Sequence, residues 1–269
     1  MKKVGVILLL LLLGIRVFGG KPVFVVLETN MGDIKLKLYE NTPQHTANFL
    51  KLVKEKHYDG LLFHRVIKDF MVQGGSSDSR KAGKDKQIGT GDIGYTITEE
   101  IMPGNIHKKG ALSAARQSDA VNPAKRSSGE QFYIVQGKKY TDEELNAIEK
   151  QRLLLAQKPF GMKLFKEQQD TYRKFRSTGK RVQADSLILS IQQQIDKEFA
   201  GYTQHLIPAD AREIYKTVGG TPFLDNEYTV FGEIVEGLDI VDKIAEVKTD
   251  KNDRPEEDVV ILKATIRKK

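Results

Sequence analysis

Polar and apolar residues alternate over several short stretches of this chain, with the period of two that is typical of strands with one buried face. In GDIKLKL, Ile34, Leu36 and Leu38 alternate with charged residues, and the stretch follows VFVVLET across a turn at 30–33. This pattern predicts two strands joined as a hairpin at the start of a folded domain.

Further short runs rich in β-branched and aromatic residues follow, separated by glycine-rich or polar turns. They cover residues 62–66, 70–73, 111–115 and 131–135, the stretch YTVFGEIVEG and the closing stretch DVVILKATI. Two segments have helical spacing instead: one starts with Thr42 as candidate N-cap and Pro43 at the first helical position, and a brief one covers 238–245. Many short strands with only two helices favour an all-β barrel or sandwich.

The region 138–218 breaks this pattern. The alternation disappears, glutamine and lysine become frequent, and an apolar residue recurs about every four positions, as on one face of a helix. The stripe consists of Leu187, Ile191, Ile195, Phe199 and Tyr202, and Leu145, Ile148 and Leu155 indicate an earlier helix of the same kind. We predict a helical insertion of two or three helices, whose stripe either packs internally or on the barrel, or binds client proteins.

The composition is that of an ordinary globular protein, long enough for one large domain or for one domain and an addition. Of the 269 residues, 39% are hydrophobic and 29% are charged. The net charge of +7 falls by three, to +4, without Lys2, Lys3 and Arg16, so the charge does not indicate a nucleic-acid partner. Because the sequence has no cysteine, disulfides, a thiol nucleophile and cysteine-bound zinc are excluded.

The N-terminal segment MKKVGVILLLLLLGIRVFGGKP predicts a signal peptide. Two lysines precede the apolar run 4–15, and small residues near Gly19 suit a cleavage site. An uncleaved anchor is the alternative, but about 20 apolar residues are needed to cross a bilayer and Arg16 interrupts this run earlier. We therefore expect residues 1–20 to be removed, and the protein to be exported to the periplasm or outside the cell without stable membrane insertion.

Two glycine-rich stretches lack the context of a phosphate site. GTGDIG at 89–94 is followed by YTITEE rather than by a helix, and Gly83-Lys84 lacks the flanking residues of a phosphate loop. The five histidines do not have a metal-ligand spacing, and no G-x-S-x-G elbow is present. The sequence therefore predicts neither a cofactor nor a metal.

The stretch FHRVIKDFMVQGG at 63–75 points most directly to a function. Arg65 lies among Phe63, Phe70 and Met71, and a buried unpaired charge is strongly destabilising. The arginine therefore needs a hydrogen-bonding partner, either from the protein or from a ligand.

Together with GALSAAR (110–116), SGEQFYIV (128–135) and TPFLDNEYTVFGEIVEGLDIVDKI (221–244), this stretch resembles the cyclophilins, a family of peptidyl-prolyl cis-trans isomerases. The resemblance covers 22–137 and resumes from 219 to the end. It implies a mainly β fold, a closed eight-stranded antiparallel barrel capped by two helices. The barrel is expected to comprise 21–137 and 219–269, with 138–218 as the α-helical insertion.

The resemblance also implies roles for individual residues. Arg65 is expected to be the catalytic arginine, and Gln73 its polar companion. The proline pocket is expected to comprise Phe70, Met71, Tyr133, Leu224 and Tyr228, and the groove for the preceding peptide Ala115, Arg116 and Gln131. Phe223 is expected at the substrate-binding surface, where many members have tryptophan, and the lost indole N–H argues against tight cyclosporin binding.

Three other positions depart from the family pattern. Tyr133 stands where the family usually has phenylalanine, Tyr228 where many members have histidine, and Arg116 where many have asparagine. The two tyrosines keep an aromatic wall, so the resemblance still implies an active enzyme.

These residue types suit rotation about an X-Pro bond, in which no covalent bond breaks and a nucleophile, a general base and a metal are dispensable. A donor-only arginine can stabilise the twisted bond while an apolar pocket fixes the proline ring. On this interpretation the substrate is the missing partner of Arg65, and Gln73 orients Arg65 or bonds the substrate backbone. The alternative is a satisfied arginine in an inactive binding barrel.

We therefore expect a prolyl isomerase that assists the folding of exported proteins, with proline-containing unfolded or flexible polypeptides as its partners and no nucleic acid. One alternative is a chaperone module whose helical insertion is the main client-binding surface, and another is a membrane-anchored scaffold. Glu130, next to the expected groove, is either a solvated loop carboxylate or a group that favours basic residues before the proline.

Overall fold

The computed structural model describes residues 22–268. The predicted signal peptide at 1–20 lies outside this range. Within it, no helix has both the length and the apolar composition that crossing a membrane requires.

Eight of the strands form a closed antiparallel barrel, which confirms the expected fold class. In chain order the strands of the described part are β1 Val23–Thr29, β2 Gly32–Leu38, β3 Leu61–Ile67, β4 Met71–Gly74, β5 Thr96–Ile97, β6 Ala111–Ala114, β7 Ser127–Ser128, β8 Phe132–Val135, β9 Val230–Glu236 and β10 Val260–Lys268. Around the barrel the order is β1-β10-β3-β4-β8-β6-β9-β2, and β5 pairs with β7 as a separate small sheet. Closure leaves the barrel without an exposed strand edge.

The predicted hairpin is formed by β1 and β2. Leu27 pairs with Ile34 and Val25 with Leu36, and all four side chains are fully buried inside the barrel. Burial alternates along both strands, as the sequence pattern predicted. Because the side-chain period of a strand is two, this alternation also fixes the register.

Two helices cover the ends of the barrel: α1 Pro43–Lys54 and α5 Leu238–Ala245. They join the core through Phe49 of α1, whose ring lies 5.6 Å from that of Phe132, and through the fully buried Val241 and Ile244 of α5. Thr42 occupies the N-cap position, but its side chain does not cap the helix.

The carboxylate of Glu100 caps α1 instead. It accepts hydrogen bonds from the backbone N–H groups of Gln44 and His45, each at 3.0 Å. These N–H groups have no partner within the helix, so a carboxylate there satisfies them and complements the helix dipole. The cap comes from 55 residues away in the sequence, which no local pattern reveals.

Between β8 and β9 the chain forms three helices, α2 Asp142–Ser177, α3 Arg181–Glu198 and α4 Ala209–Thr217. We call them the helical block. A capping box between Thr141 and Glu144 starts α2. The apolar stripe of α3 packs internally: Ile191 and Ile195 are buried, and the ring of Phe199 lies 6.2 Å from that of Phe160 on α2. Of the possibilities for the stripe, internal packing is therefore the one that the structure adopts.

The part of the helical block next to the barrel has a small hydrophobic core of its own. Leu145 of α2 and Tyr215 of α4 are fully buried there, together with Ile207 and Ala211. Leu155, which the sequence suggested for the same face, is instead exposed. This core fixes the start of α2 and the end of α4 against each other.

The two ends of the helical block meet at the barrel. The backbone N–H of Gly220 donates to the carbonyl of Lys138 at 2.9 Å, and the N–H of Thr221 donates to the carbonyl of His107 at 2.8 Å. Gly220 has a φ of +153°, and a Cβ there would lie 2.3 Å from the carbonyl oxygen of His107. Only glycine fits this close approach of two backbone segments.

Candidate active site

A cavity of about 280 Å³ lies against β3, β4 and β8 and brings together nine of the eleven predicted site residues. These nine are Arg65, Phe70, Met71, Gln73, Ala115, Arg116, Tyr133, Leu224 and Tyr228. Four further side chains or backbone segments complete the lining, His64, Ile88, Gly89 and Asn252.

Strand register explains why distant residues meet in this cavity. Arg65 on β3 pairs with Gln73 on β4, and Gln73 pairs in turn with Tyr133 on β8. Residues directly opposite each other in a sheet point to the same face. Their chain neighbours Val66 and Val72 belong to the core inside the barrel, and a β-bulge between Phe63 and Arg65 places Phe63 in the core as well. The sheet therefore directs the polar and aromatic site residues to its outer face.

One wall of the cavity is apolar. Met71, Ala115 and Tyr133 are buried in a cluster of their own, against which Phe70, Leu224 and Tyr228 pack. The rings of Tyr133 and Tyr228 meet edge to face with centroids 5.9 Å apart, a favourable geometry. A rigid apolar slot of this kind is suited to a compact ring.

Arg65 stands at the edge of the cavity, with 42% of its side chain exposed. Its Nε donates to Oδ2 of Asp253 at 3.3 Å. The protein therefore supplies a hydrogen-bond partner for Nε of Arg65. Within residues 22–268 the two terminal nitrogens of the guanidinium make no hydrogen bond, so they are free to donate to a ligand.

Sequence reasoning missed Asp253, the partner of Arg65 at the edge of the cavity. Its backbone carbonyl accepts from the N–H of Val66 at 2.8 Å, and its φ is +63°. The backbone thus fixes the carboxylate beside β3. Arg65 and Asp253 are 188 residues apart, and a single aspartate in a polar turn gives no signal in the sequence.

Gln73 and Gln131 are joined by a hydrogen bond of 3.0 Å, from Nε2 of Gln73 to Oε1 of Gln131. Gln131 donates in turn to the carbonyls of Gly89 and Gly91. In the described part of the chain Gln73 does not hydrogen-bond to Arg65. Instead, Gln131 connects it to the glycine-rich loop. The GTGDIG stretch is thus a wall of the site, and no helix follows it.

A second cavity of about 470 Å³ adjoins the first and shares Gln73, Ala115 and Arg116 with it. Of these two cavities, Gln131 lines the second and not the first. The residues assigned to the peptide groove therefore border a continuous depression beside the apolar slot. This depression can accept an extended backbone.

Arg116 supports Tyr228 in the pocket wall. Its guanidinium carbon lies 4.4 Å from the ring centroid, a cation–π geometry. Its nitrogens donate to the carbonyl and carboxylate of Glu227 and to the carboxylate of Asp119. With these partners the guanidinium is held as part of the wall.

Phe223 lies beside the cavity rather than in its lining. Its side chain is 45% exposed, and its ring centroid lies 5.7 Å from that of Phe70. The ring extends the apolar surface at the rim, because it continues the wall that Phe70 begins.

Glu130 does not have either role that the sequence suggested. Its side chain is buried, and its carboxylate accepts hydrogen bonds from the backbone and hydroxyl of Ser77 and contacts His57 Nε2 at 3.0 Å. A buried carboxylate with these partners holds the loop after β4 in place. It is not available to select the residue before a proline.

His64, next to Arg65, gives the site a titrating group. Burial lowers the pKa of His64 to about 4, from an ordinary value of 6.5. The imidazole is therefore neutral over the physiological pH range, and among residues 22–268 the permanent cations in the cavity lining are the two arginines Arg65 and Arg116.

The same pKa predicts how stability depends on pH. Below pH 6.5 the unfolded chain gains a proton at His64 that the folded protein does not bind, so the free energy of unfolding falls as the pH decreases and levels off below about pH 4. The loss is on the order of 3 kcal/mol. Urea unfolding between pH 7 and pH 4 should show a shallower loss for His64→Asn than for the wild type, and identical slopes would contradict the assignment.

Comparison with known proteins supports the same family. The family model of the cyclophilin type peptidyl-prolyl cis-trans isomerases matches residues 24–180 and 210–266. Between these two ranges the family model leaves residues 181–209 unmatched, a shorter segment than the predicted insertion 138–218.

Two curated relatives have similar sequences. A Staphylococcus aureus protein named as a peptidyl-prolyl cis-trans isomerase is 30% identical over 238 residues, which cover 88% of each chain. A Streptococcus pyogenes protein named as a bifunctional phosphatase and peptidyl-prolyl cis-trans isomerase is 30% identical over 240 residues, or 88% of this chain, but the match spans only 37% of that longer protein.

Solved structures share the fold. The crystal structure of a Cryptosporidium parvum cyclophilin type isomerase superimposes with a TM-score of 0.53 at 19% identity, covering 92% of this chain and 99% of the other. A second structure of that protein, obtained in the presence of the dipeptide Ala-Pro, gives a TM-score of 0.52 at 20% identity, with 91% and 99% coverage. The closed barrel, the family match over most of the chain and the relatives over nearly its full length agree. The chain is an enzyme and belongs to the family of cyclophilin type peptidyl-prolyl cis-trans isomerases.

Proposed function

We propose that this prolyl isomerase acts on proline-containing segments of exported, unfolded or flexible polypeptides, with Arg65 as its catalytic residue. The observation that carries the site assignment is that the terminal nitrogens of Arg65 make no hydrogen bond within residues 22–268, while Arg65 lines the same cavity as the apolar side chains of Phe70, Met71 and Leu224. NMR exchange on a short X-Pro peptide tests it, through the substitution of Arg65.

The reaction needs stabilisation of a twisted bond. Rotation about a peptide bond faces a barrier of about 18 to 20 kcal/mol, because resonance gives the C–N bond partial double-bond character. In the twisted state this conjugation is lost, and the prolyl nitrogen becomes pyramidal with a lone pair. Interactions that form mainly in this state raise turnover, since each 1.36 kcal/mol removed from the barrier gives about a tenfold rate increase.

Arg65 supplies such an interaction. Its guanidinium stays charged at any ordinary pH and donates from a planar fork, which reaches a carbonyl oxygen and the prolyl nitrogen together. Asp253 accepts from Nε and so orients the fork without using its terminal nitrogens. The carboxylate therefore has the role that the sequence had suggested for Gln73.

The two cavities divide the substrate between them. The apolar slot holds the proline ring, and the adjoining depression around Gln131 and Ala115 holds the preceding backbone. The amide of Gln73 lies at their boundary, since it lines both. A polypeptide has to be extended to occupy both, which favours unfolded or flexible substrates.

Export rests on the N-terminal segment. If the protein is exported with cleavage, mass spectrometry of the mature protein should place its first residue near Lys21, and fractionation should recover the protein outside the cytoplasm. A protein that starts at Met1 and co-fractionates with membranes would contradict cleavage and support the anchored alternative.

A second function, client binding by the helical block, is favoured by exposed apolar residues on its outer surface. Leu155 and Met162 are exposed seven positions apart on α2, and Val182 and Leu189 are exposed seven apart on α3. Residues seven apart lie on one face of a helix, so the two apolar side chains of each pair are exposed on the same side of their helix. An unfolded polypeptide has apolar side chains that can pack against them.

The variant Leu155→Ser/Met162→Ser tests this second function. We expect unchanged catalysis on a short peptide but weaker suppression of aggregation of a reduced, carboxymethylated test protein. Lys158→Ser/Lys163→Ser is the matched control, because it alters exposed residues of the same helix without removing apolar surface. Equal suppression by both variants would contradict a client-binding role for α2.

A further inference from the structure

We infer that Asp225 positions the walls of the proline pocket, and that helices α2 and α4 of the helical block hold Asp225 in place. The observation is a continuous series of buried and partly buried hydrogen bonds, which leads from Tyr133 in the pocket wall through His107 and Asp225 to Tyr215 on α4. The helical block therefore contributes to the isomerase site, although none of its residues lines the cavity.

The series begins at the hydroxyl group of Tyr133, the residue that replaces the usual phenylalanine. Nε2 of His107 lies 3.1 Å from this hydroxyl, and the two rings are nearly parallel. Nδ1 of His107 lies 3.0 Å from Oδ1 of Asp225. A carboxylate only accepts hydrogen bonds, so Nδ1 of His107 carries a proton and donates to Asp225, while Nε2 pairs with the hydroxyl of Tyr133.

The helical block supplies the other partners of Asp225. The hydroxyl of Tyr215 donates to Oδ2 at 2.7 Å, and the guanidinium of Arg152 on α2 lies 3.7 Å from the same oxygen. Arg152 also donates to the carbonyl of Pro222, the first residue of the short 3₁₀ turn Pro222–Leu224. Both helices thus hold the segment that carries Leu224.

The single carboxylate connects two walls of the pocket. It follows Leu224 directly in the chain, and through His107 it fixes the ring of Tyr133. The backbone N–H of His107 also donates to Oδ1, at 2.9 Å. Tyr133, His107 and Tyr215 are almost fully buried, so each lost hydrogen bond leaves a desolvated group without a partner. The carboxylate then moves toward its remaining partners, and both walls shift with it.

The substitution Tyr215→Phe tests the inference, since it removes one hydroxyl from a residue outside the cavity. We expect the catalysed exchange of a short X-Pro peptide to fall by about fivefold to tenfold, because displacements of an ångström in a site have effects of this size or larger. The fall should appear in the rate at saturating peptide. The methyl signals of Met71, Ala115 and Leu224 should shift in the NMR spectrum of the free protein.

Tyr140→Phe is the matched control. Tyr140 packs in the same small core, with its ring 6.5 Å from that of Tyr215, and its hydroxyl has no hydrogen-bond partner in the described range. It should leave both the exchange rate and the pocket methyl signals unchanged. The double variant Tyr133→Phe/Tyr215→Phe should be no slower than the slower of its two single variants, because both hydroxyls act through His107 and Asp225.

Wild-type exchange and unshifted methyl signals in Tyr215→Phe would overturn the inference, as would equal effects of Tyr140→Phe. Should Tyr215→Phe fail to fold, Arg152→Gln tests the same connection from α2 and leaves the small core intact. The inference rests on the proposed pocket, but its failure is distinguishable from failure of the pocket assignment. The methyl signals report the connection even if Arg65 proves dispensable for catalysis.

Discussion

Arg65→Ala is expected to lower the catalysed exchange rate of a short X-Pro peptide by about 100-fold, since loss of one preorganised donor to a transition state has an effect of about this size. The free energy of unfolding should hardly change. Arg65 is half-exposed, and its ion pair with Asp253 is of the exposed kind that contributes between about 0 and 1 kcal/mol.

Two further variants separate the roles of charge and geometry. Arg65→Lys keeps the charge but loses the planar fork, so most of the loss should remain. Asp253→Asn keeps the fork but weakens the group that orients it, and a smaller loss is expected. NMR exchange spectroscopy with each folded variant measures these rates, and undiminished catalysis in Arg65→Ala would show that the barrel uses a different group.

Gly220→Ala is expected to destabilise the protein by about 3 kcal/mol, through a strained backbone and a steric clash. The added Cβ would lie 2.3 Å from the carbonyl oxygen of His107 and 2.7 Å from the ring of Tyr215. Neither neighbour can move freely, since one is backbone and the other is a buried ring. In a domain of this size the midpoint of thermal unfolding should fall by roughly 6 to 12 °C.

Gly201→Ala serves as the control for Gly220→Ala. Gly201 lies after α3, and no atom of the described residues lies within 4 Å of the position that its Cβ would take. Its thermal midpoint should therefore stay close to that of the wild type. An unchanged midpoint in Gly220→Ala would mean that the junction between barrel and helical block tolerates a shift that the structure does not suggest.

The fold was predictable where one strand or helix carries its own pattern. The alternation in GDIKLKL identifies β2, and the brief helix predicted at 238–245 coincides with α5. These patterns depend only on which face of an element is buried. Closure of the barrel could not be predicted from these local patterns, because it depends on pairings between distant strands, such as β1 with β10. The resemblance to the family supplied it.

The candidate site was predictable as a set of residues but not as a set of contacts. Arg65, Gln73 and Tyr133 lie side by side, as a common site requires. Their hydrogen bonds go elsewhere: Arg65 to Asp253, and Tyr133 to His107. Such partners depend on tertiary approach between distant segments, and a polar residue in a turn looks the same in the sequence whether or not it has this role.

Glu130 illustrates the opposite error. A carboxylate beside a predicted groove suggested solvent or a ligand as its partner. In the structure this carboxylate is buried, accepts hydrogen bonds from Ser77 and contacts His57. Burial of a charged group is a property of the surrounding packing, and nothing in SGEQFYIV distinguishes a buried glutamate from an exposed one.

The meeting of Lys138 and Gly220 makes the helical block an exchangeable module. Their backbones pair as in an antiparallel sheet, which places their Cα atoms about 5 Å apart. A different folded unit with equally close termini can therefore be grafted between them without opening the barrel, because domain insertion requires little more than adjacent ends. The graft has one chemical requirement. It must place hydrogen-bond donors beside Asp225, at the positions that Tyr215 and Arg152 now occupy. If the grafted unit is a sensor domain that meets this condition, the ligand of the sensor domain would control prolyl isomerisation.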